Sequence, residues 1–400
     1  MRQNEKLTER NRDRALGCLV GGAVGDALGY AIEFEQWPYI RKTYGDKGIT
    51  RYQLAGNGKA LISDDTQMTL FTAAGILLGM TRGHMRGIMG RIDTYCHWTY
   101  LDWLHTQEWD LRKPKERSDS WLMDVPELYA RRAPGNTCLS ALKSLENNKE
   151  PQNNSCGCGG VMRTAPLAIL DYLHGYADAE YEYCDMVAAE AARITHKHPL
   201  GFLPSAVLND ILMQIFDGEI DRGTSLSDIV HNAIKRLPSI KSETDKDRTY
   251  GELWPDEVAT LRRLLKYAME LTMRDIPDHI AIEKIGGGWT GYEALAIAIY
   301  SAVKHSSSFE NAIVSSVNHS GDSDSTGAIC GNIMGALLGR NAIPDYYTKD
   351  LELIDIIEEM AEDLFTGCII SEYMERDTPE TRRWFEKYCL FKWIPKCSNN

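Results

Sequence analysis

The sequence predicts an all-α protein, a single large helical globule, on three observations. Apolar residues recur with a 3.6-residue period in five long segments, Pro- and Gly-bearing stretches separate them, and no convincing run of alternating β-branched residues appears. The segments are "TQMTLFTAAGILLGM" (66–80), "CDMVAAEAARI" (184–194), "VATLRRLLKYAMELTM" (258–273), "GYEALAIAIYSAVK" (291–304) and "LELIDIIEEMAEDLF" (351–365). The breaks include "NNKEPQNNSCGCGG" (147–160) and "RLPSIKSETDKDRTYGELWPDE" (236–257). The second break is strongly charged, which suits an exposed insertion rather than a linker between domains. A chain of 400 residues allows one large domain or two smaller ones.

Composition excludes several classes of function. With 43% hydrophobic and 25% charged residues the chain has the make-up of a folded soluble protein. A net charge of −13 and a pI of about 5.3 leave no broad basic field for non-specific nucleic-acid binding. The N-terminal "MRQNEKLTERNRDRALG" lacks the apolar core of a signal peptide. Residues 15–32 are apolar enough to raise the question of a membrane span, but Asp26, Glu33 and Glu35 argue against one. The ten cysteines are scattered, and Cys156 and Cys158 have no second pair to complete a zinc motif. Reduced thiols in a cytoplasm are the expectation.

Two segments carry glycine at every fourth position: Gly17, Gly21, Gly25 and Gly29, then Gly327, Gly331, Gly335 and Gly339. Each set falls along one slowly drifting helix face. Four glycines cost a helix roughly 3–4 kcal/mol relative to alanine, so something must offset them. Close approach of two helix backbones does so, which predicts that 15–32 and 326–340 pack side by side at the centre of the fold. The alternative is that each face packs under some other element.

Two acidic clusters precede apolar helices: Ser63, Asp64, Asp65 and Thr66, and Asp322, Asp324, Ser325 and Thr326. Either alone reads as a helix cap, since Ser, Thr and Asp accept the first free N–H groups and acids suit the positive helix end. Together they hold more carboxylates than caps can use, and crowded like charges are costly without a cation. Four carboxylates with hydroxyl oxygens form a hard donor set, suited to Mg²⁺ or Mn²⁺, provided the fold brings residue 65 next to residue 324.

Five motifs in series, "GCLVGGAVGDALGYAIEF", "SDDTQM", "GCGGVMRTAPLA", "RITHKHPLGFL" and "HSGDSDSTGAICGNIMGALLG", resemble the ADP-ribosylglycohydrolase family. The resemblance runs from about residue 15 to 340. It divides the expected domain of 1–400 into that core, a charged insertion at about 205–280, and a C-terminal helical extension at 341–400. It implies an all-α fold around a binuclear Mg²⁺/Mn²⁺ centre and hydrolysis of the N-glycosidic bond joining ADP-ribose to a protein arginine. Carried over by position, Ser63, Asp64, Asp65, Asp322, Asp324 and Ser325 are the implied metal ligands, with Asp324 bridging. Asp64 or Asp65 would position or deprotonate the attacking water, and Glu33 would protonate the departing guanidine. The loop "SCGCGGVMRTAP" offers backbone N–H groups to a pyrophosphate, through Gly157, Cys158, Gly159 and Met162. Cys158 stands where some relatives carry asparagine. His196 is an implied ribose or phosphate contact, and Trp289 and Tyr292 offer stacking surfaces for adenine, with core packing as the alternative for both. The implied partners are an ADP-ribosylated protein as substrate and ADP-ribose as product, with no nucleic acid and no membrane. Hydrolysis of ADP-ribosylserine or O-acetyl-ADP-ribose, and an immunity-type protein that blocks an ADP-ribosyltransferase by contact, are the rival readings.

Overall fold

Thr8 opens the first helix, α1 (Glu9–Tyr30), by accepting the Asn11 N–H on its hydroxyl. The structure is a computed structural model and describes residues 8–108, 118–173, 181–243, 245–373 and 378–393. The further helices that position the site are α2 (Asp64–Arg86), α3 (Pro199–Phe216), α4 (Gly291–Lys304), α5 (Ser323–Leu338), α6 (Ile354–Thr366) and α7 (Pro379–Tyr388). Other helices are named by their residues. Among the described residues β pairing is confined to isolated bridges, Ala60 with Leu351, Gly157 with Thr290 and Lys241 with Thr249.

At the centre α1 and α5 lie antiparallel, and the glycines explain why. A Cβ added at Gly17 would collide with the Gly335 carbonyl oxygen, at Gly21 with that of Gly331, and at Gly25 with that of Gly327. The reverse collisions hold for Gly327, Gly331 and Gly335, so both faces are backbone against backbone. Gly29 meets the Ser323 carbonyl in the same way, and the Asn332 amide donates to the Cys18 carbonyl at 2.8 Å across the seam. The expected side-by-side packing of 15–32 and 326–340 is therefore present. Helix Phe309–Val317 and α4 flank α5, and α6 flanks α1. One contiguous hydrophobic core runs from Ala15 to Tyr388.

The stretch expected as a charged insertion, 205–280, divides. Its first part lies in α3, buried along nearly its whole length against Tyr181–Arg193, Ala165–Leu173 and α4. Among the described residues α3 is the one helix long and apolar enough to cross a membrane, and here it is a core helix. Helix Pro255–Thr272 packs on α4 and buries Val258, Leu261, Leu265 and Ala268. Exposed charge is concentrated between these helices, as at Arg222 with Asp217 and Glu219. In the C-terminal segment α7 docks on α2 and α6: the Trp384 indole N–H donates to Thr81 at 3.0 Å, and the buried Lys387 ammonium donates to Glu359 at 2.7 Å.

Candidate active site

The first acidic cluster sits where α2 begins. Ser63 is its N-cap, accepting the Asp65 N–H at 3.1 Å, so the capping reading is right for the hydroxyl. That leaves the carboxylates free of capping duty. Asp64 receives one N–H, from Gly135 at 3.4 Å, and Asp65 Oδ2 is buried without a hydrogen-bond partner. Asp26 of α1 lies fully buried beneath them. Its carboxylate accepts the Ser63 N–H on both oxygens at 3.1 Å, the Thr66 N–H at 3.1 Å and the Thr66 hydroxyl. Asp26 thus pins the start of α2 to α1.

The second cluster opens α5. Asp322 is the N-cap and accepts the Ser325 N–H at 3.3 Å, while Asp324 accepts the same N–H at 3.0 Å. The Asp322 N–H donates to the Gly287 carbonyl at 2.9 Å, the Gly291 N–H to Cys156 at 2.8 Å and the Cys158 N–H to Trp289 at 3.3 Å. Loop 286–290 therefore joins the acidic turn to the glycine-rich loop. Cys158, instead of facing a ligand through an amide, donates its thiol to Asp322 Oδ2 at 2.8 Å. Glu33 follows the end of α1, and its Oε2 is buried without a hydrogen-bond partner.

These elements enclose a cavity of about 330 Å³. Glu33, Asp64, Asp65, Asp322, Asp324, Ser325, Gly157, Cys158, Gly159, Met162, His196 and Trp289 all line it. Ser63 lies fully buried beneath it. Tyr292 is the exception: it is half-buried on the first turn of α4, packed against the hydrophobic core, so the core alternative describes it. Trp289 is partly exposed at the rim and stacks on Phe34, with ring centroids 5.4 Å apart. Sequence reasoning overlooked Phe34, Asp26 and the wall Ala133–Cys138. Phe34 and Ala133 have positive φ, 69° and 53°, a conformation that no residue pattern announces. The Pro134-Gly135-Asn136 turn before a helix was the available signal for that wall.

Burial and mutual repulsion govern the electrostatics. No Lys or Arg lines the cavity among the described residues. Burial, then Asp324, hold the Asp64 and Asp65 carboxyls well above the usual range, and the same two causes act on Asp322. Glu33 is pushed up to about 10 and Asp26 to about 7, again by burial first and Asp324 next. Among the described residues no three His, Cys, Asp or Glu side chains close to ion-holding geometry. The six implied ligands nevertheless fit hard divalent cations: all offer oxygen, no Lys or Arg among the described residues lines the cavity to neutralise them, and the Asp65 Oδ2 has no hydrogen-bond partner.

The family model described as ADP-ribosylglycohydrolase matches residues 7–372. The chain belongs to the ADP-ribosylglycohydrolase family. The match takes in α6, beyond the 15–340 core read from motifs. This ADP-ribosylglycohydrolase family member is 23% identical to ADP-ribosylhydrolase ARH1 of Dictyostelium discoideum, over 90% of this chain and 97% of that one. It is 25% identical to the ADP-ribosyl-[dinitrogen reductase] glycohydrolase of Rhodospirillum rubrum, over 85% and 91%. A solved structure named as an ADP-ribosylglycohydrolase-related protein complex shares the fold with a TM-score of 0.60 and 21% identity, covering 90% of this chain and 99% of that chain.

Proposed function

We propose that the protein is a metal-dependent hydrolase that releases ADP-ribose from arginine side chains of proteins. The observation that carries this reading is the cavity lined by five carboxylates from three separate segments and, among the described residues, by no Lys or Arg. Membership of the family, and the likeness to a glycohydrolase acting on ADP-ribosyl-[dinitrogen reductase], support the substrate class. Ser63, Asp64, Asp65, Asp322, Asp324 and Ser325 would hold two Mg²⁺ or Mn²⁺ ions. When bound, the ions supply Lewis acidity at the ribose hydroxyls and lower the pKa of water beside them.

Asp65, with an oxygen that no protein group occupies, orients and takes a proton from the attacking water. Glu33 supplies the proton that the departing guanidine needs. Burial, with the neighbouring aspartates, favours the protonated form of its carboxyl, which suits a proton donor. The glycine loop Gly157–Gly159 and His196 hold the ADP-ribose moiety, and the Trp289–Phe34 pair offers adenine a stacked face. The free cysteines, eight among the described residues, suit a cytoplasmic setting.

Release of free ADP-ribose from an arginine-ADP-ribosylated protein tests the reading, run with Mg²⁺, Mn²⁺ or EDTA and with Asp324→Ala. Release that needs metal and Asp324 is expected. Release only from serine-linked or O-acetyl substrates would replace arginine as the linkage. No turnover of any of the three would overturn the enzymatic reading in favour of a binding role.

A further inference from the structure

Behind the glycine loop lies a buried cation that the carboxylates do not use. Arg163 is fully buried over the Tyr100 ring, 4.3 Å from its centroid, and donates from Nη2 to the Thr195 hydroxyl oxygen at 2.6 Å. Thr195 Oγ1 lies 2.9 Å from His196 Nδ1. A guanidinium can only donate, so it occupies a lone pair of Thr195 and leaves that hydroxyl one proton to place. The acceptors in reach are His196 Nδ1 at 2.9 Å, the Ala192 carbonyl at 3.5 Å, and the sulfur of Cys138. Sulfur is a weak acceptor and 3.5 Å is the outer limit of a hydrogen bond, so the imidazole nitrogen takes the proton. Nδ1 therefore accepts, and a neutral ring must carry its own proton on Nε2. That edge faces the cavity wall: a Cβ at Gly157 or Gly159 would stand 3.3 or 3.4 Å from Nε2.

We propose that Arg163 and Thr195 are positioning residues that lock His196 in the Nε2–H tautomer, making it a fixed, uncharged hydrogen-bond donor to an oxygen of the ligand in the cavity. The proposal rests on reading the cavity as an ADP-ribose site, whose phosphate and ribose oxygens are the acceptors. Burial, followed by Arg163, disfavours the imidazolium and holds His196 at about 3, so the donor stays neutral and keeps its direction. Neither Arg163 nor Thr195 touches the ligand in this arrangement; both act through the ring.

The test reads the ring directly. Nitrogen-15 NMR of histidine-labelled full-length protein, with the His196 signals assigned by their loss in His196→Gln, should show a neutral Nε2–H ring from about pH 5 to 8. Thr195→Val should shift the ring toward the Nδ1–H form and weaken ADP-ribose binding, measured by calorimetry, roughly 5–20-fold. Thr195→Ser should restore both. An Nδ1–H ring or an imidazolium in the parent overturns the proposal, as does a Thr195→Val variant with unchanged tautomer and affinity. A parent that binds no ADP-ribose overturns the donor role together with the functional reading, whereas the ring spectrum judges the tautomer lock with no ligand present.

Discussion

The two acidic clusters share a composition and differ in which atom serves the helix. At 63–66 a hydroxyl caps α2, and both following carboxylates are left over. At 322–326 a carboxylate caps α5, Asp324 shares the same N–H, and the Ser325 hydroxyl rests 3.9 Å from the Met162 sulfur. Their attachments differ too. The second cluster is the first turn of α5, whereas the first is hydrogen-bonded to α1 through the Asp26 carboxylate. Composition therefore states which donors a site owns, and backbone position decides which of them remain for a ligand. The clusters meet because one is built into the glycine seam and the other is hydrogen-bonded to it.

Breaking the seam should have the largest effect. Gly331→Leu drives a side chain into the Gly21 carbonyl, where neither backbone can yield, and we expect loss of soluble protein or a cost of about 4 kcal/mol or more in denaturant unfolding. A variant as stable as the parent would show that the contact is not obligatory. Cutting the hydrogen-bonded attachment comes next. Asp26→Asn puts an amide NH₂ against the N–H of Ser63 or Thr66, which can only donate, and should cost about 2 kcal/mol and weaken Mn²⁺ binding, followed by thermal unfolding with and without Mn²⁺.

The repulsion between the clusters gives a third test. Asp324→Ala removes the neighbour that raises Asp26, Glu33, Asp64, Asp65 and Asp322. Without metal it should melt at or above the parent temperature; with Mn²⁺ the parent should gain stability and the variant should not. Proton linkage gives a fourth. The Glu33 carboxyl binds its proton more tightly folded than unfolded, so between about 4.5 and about 10 folding takes up a proton and stability falls as pH rises. Glu33→Gln should flatten that slope in urea titrations of the metal-free protein, and a slope left unchanged would assign it elsewhere.

The smallest effect separates the two clusters most sharply. Ser63→Ala removes a helix cap and should cost about 1 kcal/mol, whereas Ser325→Ala removes no cap and should cost less than about 0.5 kcal/mol. Equal costs in chemical denaturation would mean that the clusters do not divide their labour as described.

The glycine period and the acidic pairs were readable because each is a local pattern with a physical cost that demands a partner. Asp26 was visible too, but its sequence neighbours suggest only a charge that argues against a membrane span. Its role depends on residue 26 meeting residue 63, which nothing in either segment states. The same holds for Gly135 donating to Asp64, and for Thr195, an unremarkable helix-end threonine until Arg163 packs behind it. Tyr292 looked like a ligand surface because it follows Trp289 in an aromatic loop. The onset of α4 at Gly291 turns it from the rim toward the core, against which it packs half-buried. The charged insertion was over-extended because α3 is buried on nearly every side, its polar Asn209, Asp210 and Gln214 included, so no exposed polar face marks its orientation.

The glycine seam also acts as an index. With Gly17 against Gly335, Gly21 against Gly331 and Gly25 against Gly327, the two rods mesh only in steps of four residues, about 6 Å at a rise of about 1.5 Å per residue. Small creep along the seam would drive carbonyls into methylenes of the next residue pair, so the separation of the acidic turns is toothed rather than sliding. Mutational drift in the surrounding core can loosen the protein without gradually retuning that gauge.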